Sequence, residues 1–312
     1  MKVLFISSGN STSGISPIVK AQSLSIINEG IEIDYFTIKG KGFKSYFKHI
    51  NILKKYLNNT KFDIIHAHYS LSAFVASLAG AKPLIVSLMG SDVKENLILR
   101  YLIRLFNFFF WKRIIVKSPD MKVSLGLESA EIIPNGVNID SFHEMDQNSC
   151  REKTGWNKNN MHILFMANPS RYEKNFSLTC AAFNLLNTNN HFELHSLIDI
   201  PHREVPVFIN AADVSILSSL WEGSPNAIKE AMACNCPVIS TDVGDVRWVF
   251  GKTEGCFITS FDPEDVTEKI KAALAFGKRT KGRERIMEVG LDSETIAGRI
   301  IQVYKNTLKT SV

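Results

Sequence analysis

The sequence predicts an α/β protein made of two doubly wound domains that face each other across a central cleft. Two observations carry this. Short, continuously apolar runs alternate with helical patterns in both halves of the chain, as expected for parallel sheets covered on both faces. At 312 residues the chain is also long for one core and comfortable for two, and a polar break near its middle separates the alternating halves.

In the first half, strands are predicted over 3–7, 31–36, 63–66, 84–88, 113–116 and 131–133. Helices are predicted over 16–28, 44–57, 70–78, 94–110 and 119–125. Ile133-Pro134-Asn135-Gly136-Val137-Asn138 and the polar residues up to about 160 read as the linker, so the first domain is placed at 1–145. The second domain, 146–292, has predicted strands at 162–167, 193–197, 214–218, 238–240 and 256–258. Its predicted helices are 175–186, 204–210, 225–233 and 263–276. Ligands of such sheets bind at the carboxyl ends of the strands, here the walls of the cleft.

Composition narrows the function. Apolar residues make up 45% and charged residues 21%, an ordinary globular balance. The net charge of +5 lies wholly in residues 1–150, which carry 17 Lys and Arg against 12 Asp and Glu; the remainder is balanced at 19 and 19. This favours an anionic surface or acceptor near the first half, and it lacks the dense basic clusters of a nucleic-acid binder. The five Cys form no disulfide framework, which fits a reducing cytoplasm. The N-terminal apolar run is too short for a signal-peptide core. No stretch reaches membrane-spanning length. The segment 97–116 is apolar and aromatic but interrupted by Arg100, Arg104, Lys112 and Arg113. It reads as a core helix running into a strand, with a membrane-surface helix as the alternative.

The most informative segment is Leu220-Trp221-Glu222-Gly223-Ser224-Pro225-Asn226-Ala227-Ile228-Lys229-Glu230-Ala231-Met232-Ala233. Ser224 is a good N-cap and Pro225 suits the first helical position. Glu222 then lies in the loop before the helix, and Glu230 lies inside it, roughly 9 Å along the axis. Between them the helix start, at Ser224, Pro225, Asn226 and Ala227, offers backbone N–H groups and the positive end of the dipole to an anion. A phosphate joined to two hydroxyl-rich groups fits such a site, and a nucleotide sugar is such a molecule.

Other segments follow strand ends. Ser8-Gly9-Asn10-Ser11-Thr12-Ser13-Gly14-Ile15 is a small-residue turn in which backbone at Gly14 can approach a pyrophosphate. His66 is read as ending the strand over 63–66 and His68 as lying beyond it and facing the cleft, with the two rings on opposite faces if the strand continues. Gly90-Ser91-Asp92 follows the fourth strand. Arg171 and Lys174, after the first strand of the second domain, are cations suited to a diphosphate. No Asp-x-Asp metal motif is present.

Glu-Gly-Ser-Pro-Asn followed by Glu-Ala-Met-Ala-Cys resembles the E-x7-E segment of the retaining glycosyltransferases of family GT4. Ala211-Ala212-Asp213-Val214 before it and Cys236-Pro237-Val238-Ile239-Ser240-Thr241-Asp242-Val243-Gly244 after it extend the likeness in the expected order. The resemblance implies the GT-B fold, with two Rossmann-like domains, an acceptor domain first and a donor domain second. It also implies that the final helix, about 293–312, packs back on the first domain.

Sugar transfer from a nucleotide-diphosphate sugar to a hydroxyl acceptor, in surface polysaccharide synthesis, is the implied function. The resemblance places Glu222 near the donor sugar, Glu230 on the ribose, His68 near the anomeric centre, and Ser91 and Asp92 on the acceptor side. Lys174 and Arg171 would face the diphosphate, although the family's arginine usually lies five residues before the lysine and Pro169 stands there. No metal and no cofactor are expected. The partners would be the nucleotide sugar, a glycan or lipid-linked glycan and, through the basic first half, the inner face of a membrane. Two alternatives stay open: a non-catalytic nucleotide-sugar-binding subunit that recruits a partner transferase, and a GT-B epimerase or phosphorylase.

Overall fold

The computed structural model describes residues 1–11, 14–40, 42–90, 93, 97–186 and 191–309. They divide into two compact units, Met1–Gly136 with Ser293–Val312, and Val137–Asp292. The boundary lies at 136 rather than 145. Val137 belongs to the second unit because it bridges to Asp292 in parallel and donates its N–H to the Leu291 carbonyl at 2.9 Å.

In the first unit, strands β1 (Lys2–Ser8), β2 (Glu32–Ile38), β3 (Ile64–His68), β4 (Leu84–Ser87), β5 (Arg113–Val116) and β6 (Glu131–Ile132) form one sheet. Its order is β2-β1-β3-β4-β5-β6, and every pairing is parallel. Central strands are buried on both faces, which is why they read as unbroken apolar runs. Helix Ser293–Lys309 belongs to this unit and packs on helix Pro17–Asn28. Its Tyr304 is fully buried, with the hydroxyl 2.6 Å from His66 Nδ1.

In the second unit, β7 (Met161–Phe165), β8 (Phe192–Ser196), β9 (Val214–Leu217), β10 (Val238–Thr241) and β11 (Cys256–Thr259) form a parallel sheet ordered β11-β10-β9-β7-β8. Ile163, Phe165, Val214, Ile216 and Ile239 pack against Leu178, Ala182, Val266 and Ile270 from the covering helices. The stretch after 138 is not all linker. Helix Gln147–Thr154 lies in it, with Asp146 accepting from the Ser149 N–H at 2.7 Å and left-handed Gly155 closing it.

Each sheet has one point where the strand order reverses, between β1 and β3 in the first unit and between β7 and β9 in the second. The loops after those strands border the crevice where open α/β sheets bind ligands.

Candidate active site

At the second reversal point, the loops after β7 and β9 are tied together. Leu220 donates its N–H to the Glu173 carbonyl at 2.9 Å. Ser218 Oγ reaches the Lys174 and Asn175 carbonyls at 3.2 and 3.0 Å. Lys174 closes a short 3-10 turn, Tyr172–Lys174, ended by Asn175 in the left-handed region. That geometry delivers Lys174 Nζ to Glu222 Oε1 in an ion pair, both side chains being largely buried. Ser219 Oγ donates to the same oxygen at 2.8 Å. The ammonium and the carboxylate are 48 residues apart in sequence and meet because β7 and β9 are neighbours.

Glu230 is buried on helix Asn226–Ala233, and its Oε1 lies 2.9 Å from His202 Nε2. That hydrogen bond raises the His202 imidazole above its ordinary range, against a lesser opposing effect of burial. The helix starts one residue later than expected. Pro225 is the N-cap and Asn226 the first helical residue, with Ala227 next. Ser224 does not cap, because its hydroxyl donates instead to Asp245 Oδ2 at 2.5 Å and accepts from Lys229 Nζ at 2.5 Å. Asn226 Oδ1 is buried at the helix start and has no hydrogen-bond partner among the described residues.

Lys229 is fully buried and Asp245 nearly so. Burial lowers the Lys229 ammonium and raises the Asp245 carboxyl. The pair, with Ser224 between, forms a polar floor under the Glu222 loop. Gly244 completes it: at φ +60° a Cβ there would come within 2.5 Å of the Gly223 carbonyl oxygen. Lys229, Asp245, Ser219 and His202 were all missed by sequence reasoning, since nothing local marks them as facing this site. Arg171 is exposed, and its Nε donates to Glu173 at 2.8 Å, so it is engaged away from the Lys174–Glu222 pair.

At the first reversal point, β3 extends through His68, so His66 and His68 are two residues apart on one strand and share a face. Their rings stack with centroids 4.3 Å apart, which corrects the expectation of opposite faces. His66 is held between Tyr304 and Ser87 Oγ, at 2.8 Å from the latter. His68 is buried against Phe5, and neither ring nitrogen has a partner among the described residues. Burial first, and then the charge of Lys117, push the His68 imidazole down to about 3, so it is neutral at physiological pH. The next residue, Tyr69, has φ 78° and ψ 145°, a region that costs a non-glycine residue about 1–3 kcal/mol. Gly14 sits at φ +78° with open space at its Cβ position. Ser91 and Asp92 lie outside the described residues.

Two parallel α/β units of this kind are the GT-B architecture. Sucrose-phosphate synthase from Thermosynechococcus elongatus superposes with a TM-score of 0.83 at 17% identity, covering 99% of this chain and all of that one. Anabaena HepE bound to UDP-glucose gives 0.77 at 14% identity, covering 98% and 100%. The model for Glycosyltransferase Family 4 matches residues 20–141, and that for Glycosyl transferases group 1 matches 181–275. The chain belongs to the GT4, or group 1, glycosyltransferases.

Among its curated relatives, a Bacillus subtilis (strain 168) protein named as a teichuronic acid biosynthesis glycosyltransferase, TuaC, is 26% identical over 67% of this chain and 60% of its own length. An Escherichia coli UDP-Gal:alpha-D-GlcNAc-diphosphoundecaprenol alpha-1,3-galactosyltransferase is 26% identical over 61% and 60%. The chain thus spans about 60% of the length of these relatives.

Proposed function

We propose that the protein transfers a sugar from a nucleotide-diphosphate donor to a hydroxyl acceptor, with retention at the anomeric carbon and without a catalytic metal. The observation that carries this is the placing of Glu222 and Glu230 on either side of the start of helix Asn226–Ala233, with Lys174 against Glu222. As the sugar–phosphate bond breaks, negative charge grows on the β-phosphate and positive charge on the ring. Lys174 and the helix start stabilise the first. Glu222 holds the sugar and stabilises the second, while Glu230 exchanges His202 for the ribose hydroxyls. We assign His68 to the donor sugar, Gly14 to the diphosphate, and Ser91 and Asp92 to the acceptor. The departing phosphate takes the acceptor proton. Arg171 joins the diphosphate on leaving Glu173.

The UDP named with HepE and with the E. coli relative makes UDP-sugars the first donors to test. A lipid-linked glycan in surface polysaccharide synthesis is the acceptor class we favour, met at the inner face of a membrane. Helix Leu97–Phe109 supports membrane contact: Leu97, Ile98, Tyr101, Phe108 and Phe109 are all exposed beside basic residues. No helix among the described residues is long and apolar enough to cross a membrane.

The test is a panel of UDP-, GDP-, ADP- and CDP-sugars, read by thermal shift and then by nucleotide release with and without EDTA. Stabilisation by one nucleotide class with EDTA-insensitive release is expected. Binding by none of them would overturn the proposal. Binding without release on any lipid-linked acceptor would assign the chain to a recruiting subunit instead.

A further inference from the structure

The second unit carries another cluster of ligand atoms on β7 and β8, backed by the residues that lead into β7 rather than by the loop that carries Lys174. The parallel register sets His162 of β7 opposite Glu193 of β8 and Leu164 opposite His195. Glu193 and His195 therefore share a face of β8 and flank His162. His162 Nδ1 lies 2.9 Å from His195 Nε2 and 3.7 Å from Glu193 Oε2; His195 Nε2 lies 3.5 Å from that oxygen.

The arrangement is built rather than incidental. His162 Nε2 is 2.8 Å from the Asn157 carbonyl, which can only accept, so Nε2 carries the proton and Nδ1 presents a lone pair to the cluster. This is the outer hydrogen bond typical of a metal-binding imidazole. Glu193 Oε1 accepts from Asn160 Nδ2 at 2.6 Å, which leaves Oε2 for the cluster. Trp156 stacks flat on His195, with centroids 3.7 Å apart and planes 12° apart, and fixes that ring. The His162 backbone N–H donates to Asp213 at 2.6 Å, and Arg151 Nη2 donates to both Asp213 oxygens.

We propose that His162 Nδ1, His195 Nε2 and Glu193 Oε2 form a binding site for one divalent transition-metal ion of the zinc class. The in-plane point equidistant from the three atoms lies about 2.0 Å from each, the range of Zn–N and Zn–O bonds, and a small adjustment of the two partly exposed side chains opens the angles for a tetrahedral ion. Two imidazoles and one carboxylate select zinc, nickel or copper over magnesium and calcium, which prefer oxygen alone. Glu193 and His195 are partly exposed, so an ion can enter and water can take the fourth position. In the metal-free protein His195 Nε2–H donates to His162 Nδ1. On binding, that proton moves to His195 Nδ1 and the ion takes its place, so no net proton is released. The ion would tie β8, the outer strand of the sheet, to β7.

The experiment uses the full chain, stripped with chelator, and zinc chloride alone. Bound zinc is counted by elemental analysis after dialysis, and affinity is read by calorimetry. One zinc per chain is expected, with a melting temperature that rises with zinc concentration. Glu193→Gln should weaken binding by at least about tenfold and His195→Ala by about a hundredfold or more. Asn160→Ala, which frees Glu193 without touching a ligand, should weaken it by about tenfold. Zinc well below one equivalent would overturn the proposal. So would an affinity unchanged in both Glu193→Gln and Asn160→Ala, two mild substitutions at partly exposed sites, and the cluster would then be a hydrogen-bonded histidine pair. No sugar donor enters the assay, so its outcome is independent of the transfer reaction.

Discussion

At the reversal point of the first sheet the imidazoles are neutral and buried; at that of the second the facing side chains are an ammonium and a carboxylate, paired. His68 sits among Phe5 and His66 and carries no charge at neutral pH. Lys174 and Glu222 form an ion pair over a second buried pair, Lys229 and Asp245, linked through Ser224. The same topology thus supplies two environments: a neutral imidazole that can exchange hydrogen bonds, and a paired cation that can meet an anion. The difference comes from the side chains at the strand ends and in the loops after them, since both sheets place a strand end and a helix start in equivalent positions.

The sharpest way to break this comparison is to discharge the second site. Lys174→Ala should lower transfer by about 10²–10³-fold, the usual loss for one preorganised group facing developing negative charge. Glu222→Gln should lower turnover to a similar extent, yet bind nucleoside diphosphate at least as tightly, because Lys174 is freed from its partner. Steady-state turnover and calorimetric titration with the diphosphate separate the two; equal losses of affinity in both variants would refute the division of roles.

The next largest effect is on stability. Lys229→Met leaves Asp245 buried beside Ser224 without its cation and should cost about 3–5 kcal/mol in urea unfolding. Adding Asp245→Leu should recover most of that loss, since a buried pair replaced by apolar residues is often neutral. A double variant no better than the single would show that the floor acts through more than charge pairing.

The neutral histidines make the first site acid-sensitive. Burial holds His66 well below its ordinary value and His68 at about 3. Above pH 6.5 neither state of the chain protonates them and they cost nothing. As pH falls below 6.5 the unfolded chain takes up these protons and the folded chain does not, so stability falls with pH; for His68 the slope is about 1.4 kcal/mol per pH unit down to about 3, and His66 acts in the same direction. Chemical denaturation between pH 7 and 4.5 should show this slope, and His68→Leu should reduce it by one proton.

The smallest effect has the opposite sign. His202 is raised by Glu230, so its contribution is present below pH 6.5 and fades as pH rises through the higher folded value. With the ring half exposed and screened, a few tenths of a kcal/mol is expected. His202→Gln should remove that pH dependence from the melting temperature.

Much of the fold was legible because buried parallel strands are written as continuous apolar runs. What escaped depended on partners distant in sequence. Helix Gln147–Thr154 buries only Cys150 and Arg151, so its pattern looks like linker. Ser224 has the composition of a cap, but Asp245, 21 residues away, draws its hydroxyl aside. Glu222, Glu230 and Lys174 could be picked out from local motif and loop position, whereas Asp245 and His202 take their meaning from partners 21 and 28 residues away. His162, Glu193 and His195 become neighbours only through the register of two strands.

The hydrogen bond between His66 and Tyr304 spans 238 residues and closes a unit whose last helix is the last element described. During synthesis the second unit is contiguous and emerges whole, while the first waits for Ser293–Lys309 to cover helix Pro17–Asn28 and fill the place beside His66. The segment made first is therefore the one completed last. Until Ser293–Lys309 emerges, the second unit can complete while the first stays open at helix Pro17–Asn28 and His66, and that open face is where a chaperone would be recruited.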